Sequence, residues 1–229
     1  MPSNPSASRK EQTWDTFIKM ERLLNIIGMN THDVVRTWFH NDRILEWYDE
    51  FNEVRNRFFK ERKVFDGLLP ASTGIGGRNP SGSALVASAM AVHPLTKSFT
   101  VKELSSPLQC PATFYGSSFS RAVEIITPDL HRVLVSGTAS IGEGGRTIHI
   151  DDAKSQVSFT LDVIKAILTT RGLNYNDVVR AIAYFKNSDD AHILEEKCKK
   201  TNMPVIIAES DICRDDLLFE IEVDAVSIA

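Results

Sequence analysis

The sequence predicts an α+β fold of two related units, each a β-sheet with helices on one face, the first unit incomplete. Three observations predict it. Residues 28–36 read Gly-Met-Asn-Thr-His-Asp-Val-Val-Arg and residues 172–180 read Gly-Leu-Asn-Tyr-Asn-Asp-Val-Val-Arg, an ungapped echo at an offset of 144. Each copy follows a helix-spaced apolar pattern. Strand-like segments and turn signals fill the remainder of each half.

In chain order, residues 1–11 are polar and rich in Pro and Ser, as expected of a disordered tail. From Gln12, the residues Trp14, Phe17, Ile18, Leu24 and Ile27 recur as on a helix with one buried face. Gly28 suits the left-handed residue that ends such a helix. Asp33 precedes a short strand, Val34 to Phe39, and a second helix is expected over about residues 44–60. Pro70 to Ile75 and Ala84 to Val92 read as strands. Pro94, Ser105, Ser106 and Pro107 mark residues 94–114 as a linker between a unit at 12–93 and a complete unit at 115–229. In the second unit a β-rich stretch, Ser118 to Ser140, leads to a turn at Gly142 to Gly145. A helix follows, with Val157, Leu161, Ile164, Ile167 and Leu168 inward, then Gly172 and a strand from Val178 to Phe185. A helix at 189–200 and strands at Val205 to Ser210 and Leu217 to Val226 complete a β-β-α-β-α-β-β order. The first unit is expected to lack the leading strands, because only eleven residues precede Gln12.

Composition bounds the function. The 229 residues are 42% hydrophobic and 24% charged, with a net charge of −4, which disfavours a protein that grips nucleic acid through phosphates. Cys110, Cys198 and Cys213 show no C-x-x-C spacing, so neither a zinc knuckle nor a redox pair is expected. No secretory h-region and no apolar run near the roughly 20 residues of a membrane span is present, and a cytoplasmic protein without a membrane partner is expected.

The second half resembles the Rid (YjgF-like) family in Ser136-Gly137, Asp151, Gln156, Gly172, Asp177-Val178-Val179 and Glu220-Ile221-Glu222. That resemblance implies a chorismate-mutase-like α+β sandwich, usually trimeric, with ligand pockets between subunits. Within that superfamily, residues 118–122, 136–141 and 211–222 are similar to the chorismatases. So are Val35-Arg36-Thr37-Trp38, the set Tyr48, Phe51, Asn52 and Arg55, and residues 70–76. Chorismatases split chorismate into pyruvate and a cyclic carboxylic acid, without metal or organic cofactor. The implied reading is a chorismatase-like hydrolase or lyase with no cofactor, a small carboxylate metabolite as ligand, and a homo-oligomer, trimeric by family precedent. Alternatives are a non-catalytic ligand-binding oligomer of the translation-initiation-inhibitor type and an RNA-binding or endoribonuclease protein.

Among candidate site residues, strand alternation puts Glu220 and Glu222 on one face with Phe219 and Ile221 on the other. That face is either solvated or part of an enclosed cleft, where desolvation would raise the carboxyl pKa and make a general acid. The chorismatase resemblance assigns Glu220 the second role, protonating the methylene of an enolpyruvyl ether. It also marks Cys213 as a pocket wall at a position that bears on product type; by residue type alone Cys213 is equally a small buried hydrophobe. Arg121 is either a carboxylate anchor or a surface ion-pair partner. Ser136, Gly137 and Thr138 close an apolar strand and offer a close approach and a hydroxyl, or a plain turn. Phe119 stands where Rid enzymes carry an aromatic wall.

Other motifs point away from function. Rid deaminases place a carboxylate-binding arginine where this chain has Val205 or Ile206, and Ser72 in the first copy, so that activity is not expected. Gly74 to Arg78 lacks the Walker spacing and reads as a strand end. The six histidines show no metal-ligand spacing, and no metal is expected. The run Arg55, Arg57, Lys60, Arg62 and Lys63 is interrupted by Glu61 and reads as a solvated helix face, with Phe58 and Phe59 inward.

Overall fold

The computed structural model describes residues 1–201 and 203–228. The first unit runs α1 (Arg9–Ile26), β1 (Val34–Asn41), α2 (Tyr48–Glu61), β2 (Ala71–Gly76) and β3 (Leu85–Ala91). The second follows β4 (Thr100–Leu104) with β5 (Ala122–Ile126), β6 (Leu130–Ala139), α3 (Ala153–Thr169), β7 (Val178–Phe185), α4 (Ala191–Thr201), β8 (Val205–Glu209) and β9 (Phe219–Ile228). From β5 onward this is the β-β-α-β-α-β-β order expected from the sequence.

The echo codes for one structural device used twice. Gly28 and Gly172 stand at φ +76° and +70°, where a side chain would be strained. The Asn30 side chain then accepts the His32 amide at 2.8 Å while the Asp33 carboxylate accepts the Asn30 amide at 2.8 Å. Asn174 and Asp177 repeat both bonds, at 2.9 and 2.7 Å. These reciprocal caps satisfy amides that would otherwise be orphaned and aim the chain into β1 or β7. The likeness reaches upstream: Gln12 accepts the Ala84 amide just before β3, and Gln156 accepts the Leu218 amide just before β9, each at 2.8 Å.

Two sheets result, ordered β2-β1-β3 and β4-β5-β6-β9-β7-β8. In both units the strand after the echo pairs parallel on one side and antiparallel on the other. The sheets stack, and the helices lie outside. Phe17 of α1 and Phe51, Phe58 and Phe59 of α2 pack on Phe39 of β1. Val157, Ile164 and Ile167 of α3 pack on Val133, Val135, Ile221 and Val223 of the large sheet. Between the sheets lie Val35 and Ala71 on one side and Val123, Ile125 and Leu134 on the other. Backbone contacts tie the two together, Ser120 amide to Pro70 carbonyl at 3.0 Å and Gly76 amide to Asp211 carbonyl at 2.8 Å.

Two segments differ from expectation. Helix α1 begins at Arg9, inside the segment expected as a tail, because Ser8 and Glu11 form a capping box. The segment 94–114 carries β4, which pairs antiparallel with β5 from Thr100 to Leu104. Among the described residues no helix is long and apolar enough to cross a membrane.

Candidate functional site

The stacking of the sheets decides what the even-numbered face of β9 becomes. Alternation sends Phe219, Ile221 and Val223 into the α3 core, and Glu220, Glu222 and Asp224 toward the first unit. That face is covered rather than solvated: Glu220 is 5% exposed and Glu222 is fully buried.

Glu222 is held by residues from both copies of the echo. Arg36 of β1 reaches Glu222 Oε2 at 2.8 Å, and Arg180, its counterpart on β7, pairs with Oε1. Trp38 Nε1 donates to the same oxygen at 3.0 Å, and the Thr73 hydroxyl donates to Oε2. Burial pushes the Glu222 pKa up, but Arg36, Thr73 and Arg180 outweigh it and hold the carboxylate low. Glu222 is therefore the ionised member of the pair.

Glu220 is its opposite. Among the described residues its carboxyl has no hydrogen-bond partner. Burial, then the neighbouring Glu222 charge, push its pKa up to about 8 against the opposing pull of Arg36 and Arg121. Its carboxyl lies against the Gly137 backbone, where a side-chain carbon would meet Glu220 Oε1 at 2.1 Å. Only glycine permits that approach.

The carboxyl opens into a cleft between the two units. Tyr48 and Arg55 of α2 and Ser72 and Gly74 of β2 form one wall. Tyr115, Phe119, Arg121, Gly137, Cys213 and Arg214 form the other. The cleft has about 40 Å³ of open interior and about 490 Å³ of empty space when its mouth is included. Three guanidiniums face it. Arg55 lies 5.8 Å from the Phe119 ring centre and Arg121 lies 5.7 Å from it on the same ring. Arg214 lies 5.0 Å from the Tyr115 ring centre and donates to the Gly145 carbonyl at 2.9 Å. The Nε–Nη2 edge of Arg121 is taken by the Cys110 carbonyl at 3.0 and 2.8 Å, so the Nη1–Nη2 edge is the one left for an anion. Burial pushes the Cys213 thiol up to about 12, which makes it a wall and not a thiolate nucleophile.

Of the residues singled out from sequence, Glu220, Phe119, Arg121, Gly137 and Cys213 converge on this cleft. Ser136 and Thr138 do not line it. Ser136 is spent on the junction between sheets, accepting the Ser72 amide at 2.9 Å and donating to the Ser120 carbonyl at 2.6 Å. Thr138 donates to the Ser136 carbonyl at 2.8 Å. Arg55, read as part of a solvated helix face, is 2% exposed and lines the cleft. The rest of that basic run is neutralised in part, Arg57 by Glu61 at 2.8 Å and Arg62 by Glu21 at 2.6 Å. Tyr48 and Arg214 were legible only as members of the motifs that carry the chorismatase resemblance.

Comparison with known proteins agrees with that resemblance. No family model matches the chain. The chain is 27% identical over 250 aligned residues to a 3-hydroxybenzoate synthase of Streptomyces hygroscopicus, covering 95% of this chain and 70% of that protein. It is 25% identical to a chorismatase of the same organism, covering 82% of this chain and 60% of that protein. Among solved structures, a chorismatase superposes with a TM-score of 0.76 at 23% identity, over 93% of this chain and 69% of that one. The chain thus spans 60 to 70% of the length of these relatives. It is chorismatase-like in sequence and shares the chorismatase fold.

Proposed function

We propose that the protein cleaves an enolpyruvyl ether of a small cyclic carboxylate, a substrate of the chorismate type, with Glu220 as general acid. The observation that supports this reading is a single buried carboxyl, without a hydrogen-bond partner among the described residues and with its pKa pushed up by burial and the Glu222 charge, opening into a cleft lined by three guanidiniums. Protonated Glu220 gives its proton to the terminal methylene carbon of the enol ether. The double-bond electrons form the new C–H bond, and an oxocarbenium ion develops at the ether carbon. The carboxylate left on Glu220 stabilises that cation in a site largely shielded from solvent. Water adds to the cationic carbon and returns a proton to Glu220, and the resulting hemiketal breaks its C–O bond to give pyruvate and an alcohol. Arg121 and Arg214 supply charge for the substrate carboxylates, and Tyr115 and Phe119 provide flat apolar walls for a ring.

Incubation of purified protein with chorismate, with pyruvate followed by a coupled lactate dehydrogenase assay, tests the reading. Release by the native chain and none by Glu220→Gln is expected. Release no faster than that of the variant would rule out the catalytic assignment.

A further inference from the structure

Beside the cleft lies a second chamber that the proposed reaction does not use. Phe119 and Arg121 border both cavities and stand between them. The chamber has about 280 Å³ of open interior, against about 40 Å³ in the cleft. One water needs only about 10 to 15 Å³ of such space, so there is room for a small molecule. Leu69, Leu104, Pro111 and Ala112 give the chamber apolar sides, and the exposed Glu103, Ser105 and Thr113 stand at its mouth.

The polar lining is buried and incompletely paired. Gln109, Ser120 and Arg121 are 5%, 6% and 4% exposed. Gln109 Nε2 donates to the Ala139 and Ile141 carbonyls at 2.9 and 2.8 Å. Both partners are acceptors, which fixes the amide orientation and makes Oε1 the free end. That Oε1 and the Ser120 hydroxyl have no hydrogen-bond partner among the described residues. Arg121 gives one edge to the Cys110 carbonyl and forms no ion pair among the described residues. A buried acceptor, a buried hydroxyl and a buried cation left in this state each cost stability unless something small completes them. All three are covered by the described residues themselves, so the site depends on no open sheet edge.

We propose that this chamber binds a small ring carboxylate that also carries a hydroxyl. The carboxylate takes the Nη1–Nη2 edge of Arg121. The ring lies against Phe119 and the apolar sides. The hydroxyl donates to Gln109 Oε1 and accepts from Ser120, a pairing that a hydroxyl can make and a bare ring cannot. An analogue without it leaves both buried groups unpaired, and the chamber selects on that difference. Arg121 has one free edge, so a ligand here competes with an anion held in the cleft. The alcohol that the proposed cleavage releases is of this class, but the assignment rests on the chamber's own groups and its test needs no turnover.

Calorimetric titration of the 229-residue chain with 3- and 4-hydroxybenzoate, and with benzoate and phenol as the two deletions, tests this. At least one hydroxybenzoate should bind one to one, with benzoate and phenol each about 10-fold weaker or more. Gln109→Leu should bring that hydroxybenzoate to the level of benzoate. Ser120→Ala should weaken it several-fold, and this variant decides the matter if Gln109→Leu fails to fold, because the Ser120 hydroxyl holds no bond within the chain. Glu220→Gln, which changes the cleft alone, should bind as the native chain does. No binding at millimolar ligand, benzoate binding as tightly as either hydroxybenzoate, or affinity unmoved by Ser120→Ala would each overturn the proposal and leave the chamber to water. Binding lost in Glu220→Gln and kept in Ser120→Ala would overturn it by placing the ligand in the cleft.

Discussion

Replacing Glu220 by Gln separates the cost of burying this carboxyl from its use. In the folded chain its pKa is raised from 4.5 to about 8, while the unfolded chain keeps the ordinary value. Between those two values the folded state binds the extra proton. Glu220 therefore favours folding fully below pH 4.5, loses that contribution as pH rises, and has lost all of it above pH 8. At 1.36 kcal/mol per pKa unit the full span is about 5 kcal/mol, and the part between pH 5 and pH 8 is about 3 to 4 kcal/mol. Gln is neutral throughout and nearly isosteric, so Glu220→Gln should gain on the native chain by about that amount over this interval. Urea unfolding of both proteins at half-unit steps of pH measures it. The same group should give kcat/KM a limb that falls as pH rises through about 8, since the acid form is the reactive one. Stability curves that run parallel across pH 5 to 8 would refute the assignment of a proton to Glu220, and with it the acid role.

Three further outcomes follow from the same geometry. Gly137→Ala would place a carbon 2.1 Å from Glu220 Oε1, so pyruvate release should drop at least about 100-fold, by the sensitivity of catalysis to misplacement of about 1 Å, while the circular dichroism spectrum stays native. Arg36→Leu leaves buried Glu222 with only Arg180, Trp38 and Thr73, and should cost about 3 kcal/mol in urea unfolding. Adding Glu222→Leu should restore part of that loss, and a single-variant cost below about 1 kcal/mol would show that the pair does not hold the sheets together. Arg121→Lys keeps the charge but loses the two-pronged edge, so KM for a carboxylate substrate should rise about 10-fold with kcat changed only a few-fold.

The fold was legible where a local rule forces the outcome, and the site where that rule met a resemblance. The Gly, Asn and Asp of the echo each perform a backbone task that few other residues can, so two copies nine residues long located both units. Period-two alternation placed Glu220 beside Glu222 for the same reason. Whether their face met water was not local information: the cover is β1 and β2, and Arg36 lies 186 residues from the carboxylate it pairs with. The convergence of Arg36 and Arg180 on one side chain is likewise invisible in the chain, although the echo contains both. Arg55 was misread because a basic run on a helix is usually solvated, and only the packing of α2 over Phe119 buries it. Ser136 and Thr138 sit at the right strand end, but their hydroxyls are consumed by the junction. The Ser8 and Glu11 capping box that starts α1 was not read from the sequence, where the polar, Pro- and Ser-rich composition of residues 1–11 set the expectation of a tail.

The two carboxylates of β9 show how a repeated scaffold gives two neighbouring side chains opposite charge states. They lie on one strand face and differ in charge state because the repeat-related arginines both go to Glu222 and neither makes a hydrogen bond to Glu220. The ionised neighbour then raises the proton affinity of the other, adding to burial. Removing the Glu222 charge should accordingly lower the Glu220 pKa, although Glu222 touches nothing in the cleft wall formed by Tyr115 and Phe119. At the corresponding register on β3 the first unit carries Val86 and Ser88 in place of Glu220 and Glu222. The first unit thus supplies Arg36, Arg55 and Tyr48 around a raised-pKa carboxyl, Glu220, that belongs to the second. In the function proposed above, the second unit would give the proton through Glu220, and β1, β2 and α2 of the first unit form the surroundings that keep it there.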